Sequence, residues 1–77
     1  MMSTINDVDY AFVNHTITTY YVTDVSECMK KCLLNPNCYS FNYGYDGEVE
    51  KMCELNNVTR AINRNCFVPR FGYVYYE

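Results

Sequence analysis

The stretch DVSECMKKCLLNPNCYSFNYGYDGEVEKMCELN, residues 24–56, decides the fold of this chain, because it holds four of the five cysteines and the clearest helical pattern. Its apolar residues recur at i, i+3, i+4, i+7 and i+8, on one stripe of an amphipathic helix. Asp24 suits the N-cap, with Glu27 completing a capping box. Pro36 lacks an N–H and ends the helix. The stripe comprises Val25, Cys28, Met29, Cys32 and Leu33.

Aromatic residues alternate with small or polar ones directly after the helix, which predicts a strand. Asp46-Gly47 then predicts a turn, and residues 51–56 predict a second strand with Cys53 and Leu55 on one face. All four aromatic rings of the first strand share one face, so they cannot all contact the helix. Either the other face of the sheet is also covered, or some rings are exposed. The rings belong to Tyr39, Phe41, Tyr43 and Tyr45.

The remaining segments complete a small domain over residues 10–77, after a segment at residues 1–9 that we expect to be flexible. β-Branched and aromatic residues predict one long or two short strands over 10–15 and 16–22. We expect an irregular loop after residue 56. Residues 67–76 predict a closing strand, in which Pro69 indicates an edge position or a break.

The cysteine spacing and these strands resemble a PAN/apple domain, a module of growth factors, coagulation zymogens and invertebrate surface proteins. The matching motifs are Cys28-x3-Cys32-x5-Cys38, Tyr39-Ser40-Phe41-Asn42-Tyr43, Cys53-Glu54-Leu55-Asn56 and the closing strand. The likeness covers residues 12–76. It implies disulfides between Cys28 and Cys53 and between Cys32 and Cys38. We therefore expect an α+β fold, with one helix stapled by two disulfides to an antiparallel sheet of four or five strands.

Length and cysteine content agree with a secreted setting. A domain of 77 residues buries only about 60% of its unfolded surface, so disulfides are needed for stability. Five cysteines in so short a chain indicate an oxidising compartment. Asn14 and Asn57 each begin an N-x-[S/T] glycosylation sequon. Residues 1–9 do not resemble a signal peptide, and we expect a module excised from a larger glycoprotein, with no membrane insertion of its own.

Cys66 departs from the family pattern, because residues 1–27 hold no cysteine to form a third bridge with it. It is either a buried inert thiol, an intermolecular disulfide that joins copies, or a partner for another part of the parent protein. Neither zinc-site spacing nor the C-x-C strand of defensin scaffolds is present. We expect no metal and no cofactor. His15 is the sole histidine and no nucleophile motif surrounds it, so we expect no enzyme activity.

Charge and aromatic content indicate two candidate surfaces. The net charge is −3, yet residues 55–76 hold no acidic residue and three arginines, Arg60, Arg64 and Arg70. They form either a solvated loop or an anion-facing surface. A nucleic-acid binder would show a more basic domain. Nine tyrosines suit half-buried strands and also recognition, and we place Tyr43 and Tyr45 on a candidate ligand surface.

The resemblance implies a non-catalytic extracellular module that binds protein or carbohydrate, for example in cell adhesion. The alternative is a structural module that assembles an extracellular matrix or a multimer, joined through Cys66 or an edge strand. A secreted toxin or inhibitor is a third interpretation. Fold does not fix the ligand.

Overall fold

The helix forms where its caps predict it. In the computed structural model, which describes residues 6–77, helix α1 spans Val25–Leu34. The Asp24 carboxylate accepts a hydrogen bond from the Glu27 N–H at 2.9 Å. The Glu27 carboxylate accepts from the backbone N–H of Thr23 at 2.9 Å, one residue earlier than a capping box requires. Asn35 then adopts extended backbone geometry, as expected for a residue that precedes a proline.

The strands form one antiparallel sheet in the order β1-β5-β3-β4-β2. Helix α1 packs on one face of this sheet, against β3, β2 and β4. The α+β fold expected from the sequence is therefore confirmed, with five strands among the described residues. These strands are β1 (Asn6–Phe12), β2 (Thr16–Val22), β3 (Ser40–Gly44), β4 (Lys51–Asn56) and β5 (Phe67–Tyr76).

The core between helix and sheet is built around disulfides. Cys28 is joined to Cys53 of β4, with their Cα atoms 5.5 Å apart, and Cys32 is joined to Cys38, with Cα atoms 5.2 Å apart. These are the pairings that the family resemblance implies. Leu33, expected on the buried stripe, is half exposed instead. The apolar residues that surround the bridges are Val22, Phe41, Tyr43 and Leu55.

Part of the opposite face of the sheet is covered as well. Phe12 and Tyr75 are fully buried there and pack with Cys66, which lies at the end of a short 3-10 turn, η1 (Arg64–Cys66). The Asn42 side chain is buried on this face and bonds to the backbone of Phe12. Both interpretations of the aromatic strand thus hold in part. The second face is covered around Phe12 and Tyr75, while Tyr39 and Tyr45 flank β3 and are exposed.

Strand β1 lies earlier in the chain than the sequence predicts. It begins at Asn6 and pairs with β5, so residues 6–9 belong to the sheet rather than to a flexible segment, while residues 1–5 lie outside the described residues. Residues 13–15, expected in a strand, form the connection to β2 because Asn14 adopts a positive φ of 70° that interrupts extended geometry. Pairing with a distant strand explains why β1 begins earlier than predicted, because β1 forms its backbone hydrogen bonds with β5 at the other end of the chain.

Candidate functional site

A bulge in the β1–β5 pair shapes the candidate site. Val8 pairs with Val74 and Tyr10 pairs with Pro69, so residues 70–73 of β5 lie opposite Asp9 alone. We call residues 70–73 the bulge loop. Pro69 is tolerated because β3 pairs with β5 only over residues 73–76, which leaves the proline with β1 as its one neighbouring strand.

Asp9 fixes the bulge loop in place. It adopts a positive φ of 64°, and its Oδ1 atom accepts hydrogen bonds from the Gly72 N–H at 3.2 Å and from the Tyr45 hydroxyl at 2.6 Å. The Tyr45 N–H donates to the Gly72 carbonyl at 2.9 Å. Gly72 itself has a φ of +92°, a backbone conformation in which a residue with a side chain would be strained. The hydrogen bond to Asp9 raises the pKa of the Tyr45 hydroxyl, because the carboxylate holds the phenolic proton.

A groove opens beside this loop, on the sheet face opposite the helix. Tyr21, Met52, Gly44 and Tyr73 lie side by side across β2, β4, β3 and β5. Gly44 is closely flanked in this row: a Cβ atom there would lie 3.2 Å from the Met52 Cβ and 3.3 Å from the Tyr73 ring, so a larger residue would crowd both neighbours. The four residues line part of an open surface cavity with a volume of about 330 Å³.

Exposed rings and carboxylates surround the floor of this cavity. Tyr21 is 65% exposed and Phe71, in the bulge loop, is 77% exposed. Asp46 and Glu50 line the side formed by the β3–β4 turn. We call this site the aromatic groove, defined by Tyr21, Met52, Phe71, Tyr73, Asp46 and Glu50.

The sequence places Tyr43 and Tyr45 on a ligand surface, but the two residues have different environments. Tyr45 borders the bulge loop, with its ring edge-on to Phe71 at 6.4 Å between centroids. Tyr43 is only 8% exposed and packs in the helix-side core, so its assignment to a ligand surface is wrong. Burial raises the pKa of its hydroxyl. The helix covers Tyr43 because Tyr43 alternates with Asn42 and Gly44, which face the other way.

The three arginines have separate environments. Arg60 forms ion pairs with Asp7 and Glu77 and lies over the ring of Phe67 at 5.2 Å. Arg60 is therefore already paired with carboxylates and its role in an anion site is not supported.

The other two arginines do not complete an anion site. Arg70 stacks on the Tyr73 ring at 4.0 Å and lies 3.5 Å from a Glu54 carboxylate oxygen, at the margin of the aromatic groove. Arg64 is exposed and has no ion pair within residues 6–77. Arg60 and Arg70 are each already paired with carboxylates of this chain, which weighs against a common anion-facing surface.

Cys66 is the fifth cysteine and carries a free thiol. It is buried with Phe12 and Tyr75, and the Asn14 side-chain nitrogen lies 4.0 Å from its sulfur. Its carbonyl accepts a hydrogen bond from the Val13 N–H at 2.8 Å. A bridge to another chain requires this part of the core to open, which weighs against assembly through Cys66.

Both sequons lie at the end of the sheet away from the aromatic groove. Asn14 and Asn57 are exposed, and the His15 carbonyl accepts a hydrogen bond from the Asn57 N–H at 3.2 Å. Asn56, beside Asn57, ends β4, whereas Met52 of the groove lies near the start of that strand.

Sequence reasoning missed most of the aromatic groove. Tyr21 and Phe71 gave no signal beyond strand propensity, and Asp9 fell in a segment expected to be flexible. The Phe71-Gly72 pair within a predicted strand did carry a usable signal, because an isolated glycine in a strand indicates a bulge.

The fold and the groove define a class: a small disulfide-stabilised domain that presents an open surface cavity. Within residues 6–77 no three His, Cys, Asp or Glu side chains cluster as a metal site would require. In the same residues, no helix has the length and apolar character needed to cross a bilayer.

The sequence model of the PAN domain family matches residues 5–77, essentially the whole chain. The chain therefore belongs to the PAN domain family, whose members are in general non-catalytic modules that bind protein or carbohydrate. Comparisons with curated proteins and with solved structures gave no match. Family and disulfides together favour an extracellular context.

Proposed function

We propose that this chain is a non-catalytic recognition module of a secreted or cell-surface protein, and that it binds a protein or carbohydrate ligand in the aromatic groove. The observation that carries this proposal is the open cavity lined by Tyr21, Met52, Tyr73 and Phe71, in which Tyr21 and Phe71 are largely exposed. Exposed rings beside a preformed cavity are typical of binding sites.

The chemistry of the groove suits both ligand classes of the family. An aromatic ring packs against the apolar face of a pyranose or against an apolar side chain of a protein. The carboxylates of Asp46 and Glu50 accept hydrogen bonds from sugar hydroxyls or from a cationic side chain. Adhesion is one use of such binding, as part of a larger glycoprotein.

The groove is held rigid before a ligand arrives. Asp9 ties the bulge loop to Tyr45, and the Cys28–Cys53 bridge anchors the strand that carries Met52. A preorganised site loses little conformational entropy on binding, which favours affinity.

The experiment is a screen of glycan and protein arrays with the refolded, unglycosylated module. Each ligand retained is then titrated against Phe71→Ala and Tyr21→Ala, with Tyr20→Ala as the matched control. Tyr20 is also an exposed aromatic residue, 36% exposed, but faces the other side of β2 from its neighbour Tyr21.

We expect each groove substitution to weaken binding about tenfold or more, while the control changes affinity less than twofold. Circular dichroism must show an intact fold in each variant. A retained ligand that is insensitive to both groove substitutions, or arrays that retain nothing, would contradict the proposal.

The same preparation tests the assembly alternative. Sedimentation under oxidising and reducing conditions is expected to show a monomer in both, because Cys66 is buried. A ligand-free dimer lost on reduction would favour assembly instead.

A further inference from the structure

The fold brings the two sequons side by side. Thr16, the third residue of the first sequon, pairs with Asn56 of β4, which directly precedes the second sequon. The backbones of His15 and Asn57 are also hydrogen-bonded. Chain regions that are distant in sequence therefore present both acceptor asparagines at one end of the sheet.

A second surface cavity adjoins only the Asn57 sequon. It has a volume of about 280 Å³ and its walls are Tyr39, Asn57, Val58, Thr59 and Ile62. The three sequon residues thus form part of the cavity themselves. Tyr39 and Ile62, which complete it, are 57% and 69% exposed, an apolar surface at the point where a glycan would be attached.

We infer that this cavity is the seat of the first N-acetylglucosamine of a glycan attached to Asn57. We call it the glycan seat. In the attachment step, the Asn57 side-chain nitrogen bonds to C1 of the sugar and gives up one proton, while the bond from C1 to the lipid diphosphate carrier breaks. The side chain of Asn57 is exposed and forms no hydrogen bond within the described residues, so its nitrogen is accessible for this transfer.

The chemistry of the seat matches this sugar. None of the five side chains that form it is charged, which suits a neutral saccharide. The tyrosine ring offers a flat surface for the apolar face of the pyranose, and the aliphatic side chains of Val58 and Ile62 offer a site for the acetamido methyl group. Covering these groups removes apolar surface from water.

The Asn14 sequon provides a matched control within the same chain. Its side-chain nitrogen lies 4.0 Å from the Cys66 sulfur, and Asn14 is not part of either surface cavity described above. A sugar on Asn14 therefore lies outside both cavities. The seated glycan also leaves the aromatic groove open, since the six residues of β4 separate the two sites by about 17–20 Å.

The test uses the secreted module from a eukaryotic host, as Asn14→Gln and as Asn57→Gln, each trimmed enzymatically to a single N-acetylglucosamine. The stability of each trimmed variant is measured by urea denaturation. It is compared with that of the same variant produced without sugar in a host that lacks N-glycosylation. Burial of about 50 Å² of apolar surface predicts a roughly tenfold rise in the folded-to-unfolded ratio for the sugar on Asn57. The sugar on Asn14 is expected to change that ratio less than twofold.

The Tyr39→Ala substitution completes a double-mutant cycle with the Asn57 sugar. We expect most of the stabilisation by the Asn57 sugar to disappear in this variant. In the protein that retains Tyr39, we expect nuclear Overhauser effects between the acetamido methyl group and the Tyr39 ring. An unmodified Asn57, a sugar without stabilising effect, or a gain that survives Tyr39→Ala would each overturn the inference. None of these outcomes depends on whether the aromatic groove binds a ligand.

Discussion

The side-chain amide of Asn42 forms hydrogen bonds with both backbone polar atoms of Phe12. Its Oδ1 atom accepts from the Phe12 N–H at 2.9 Å, and its nitrogen donates to the Phe12 carbonyl at 2.8 Å. These bonds join β3 to β1, two strands that β5 separates in the sheet. They hold the end of β1 against the face opposite the helix, where Phe12 is fully buried.

We expect Asn42→Ala to lower the free energy of unfolding by about 2–4 kcal/mol, because it leaves buried backbone groups of Phe12 without partners. Chemical denaturation provides the measurement. Asn37→Ala, at an exposed position, is the control and should change stability by less than about 0.5 kcal/mol. Equal effects of the two substitutions would show that the bonds to Phe12 contribute nothing.

The two disulfides should contribute unequally to stability. Cys28 and Cys53 are 25 residues apart, whereas Cys32 and Cys38 are 6 apart. In the chain-entropy model, the disulfide that closes the longer loop adds about 3.5 kcal/mol to the free energy of unfolding, and the one that closes the shorter loop adds about 2.4 kcal/mol. Replacing each pair by alanine and measuring urea denaturation tests this order. A greater loss of stability on removal of the Cys32–Cys38 bridge than of the Cys28–Cys53 bridge would contradict this order.

Tyr43 should contribute to the stability of the fold through the packing of its buried ring. Truncation of this buried ring by Tyr43→Ala is expected to cost about 3 kcal/mol of stability, within the range for large core side chains. Tyr45→Ala removes a side chain that is more exposed and one hydrogen bond to Asp9, so its cost should stay below about 1.5 kcal/mol. Thermal denaturation of both variants compares the same substitution at the two positions. A larger cost at Tyr45 would refute the assignment of Tyr43 to the core.

Because the pKa of the buried Tyr75 hydroxyl is raised, we expect the protein to lose stability at high pH. Burial raises the pKa of its hydroxyl from 10.0 to about 12. Below pH 10 the tyrosine is neutral in both states, so its contribution is fully present. Between pH 10 and 12 the unfolded chain loses the proton first, and stability should fall as the pH rises.

Absorbance at 295 nm after a rapid pH jump is the measurement for Tyr75. We expect one tyrosine of the native protein to ionise after the others, and this late step to be absent in Tyr75→Phe. A late step that persists in Tyr75→Phe belongs to another residue and would contradict the prediction.

Cys66 should resist alkylation in the native state, because its thiol is buried with Phe12 and Tyr75. Mass spectrometry after iodoacetamide treatment is expected to find label on Cys66 only when the protein has been denatured, while both disulfides remain closed. Rapid labelling of the native protein would show that the cluster of Cys66, Phe12 and Tyr75 is open to solvent.

Local sequence signals determined the helix, the cysteine-bearing strands and the class of fold. Asp24 and Pro36 mark the helix ends through backbone hydrogen bonds that involve neighbouring residues only. The spacing of Cys28, Cys32 and Cys38 carried the family resemblance, and the family match over residues 5–77 agrees with it.

Tertiary structure alone decided which residues form the candidate site. A period of two assigns side chains to two faces but does not say which face is covered. Tyr43 is buried because the helix covers its face, and Gly44 becomes a groove floor only because β4 and β5 place Met52 and Tyr73 beside it. These neighbours come from strands that pair across most of the chain, and no local pattern records such long-range pairing.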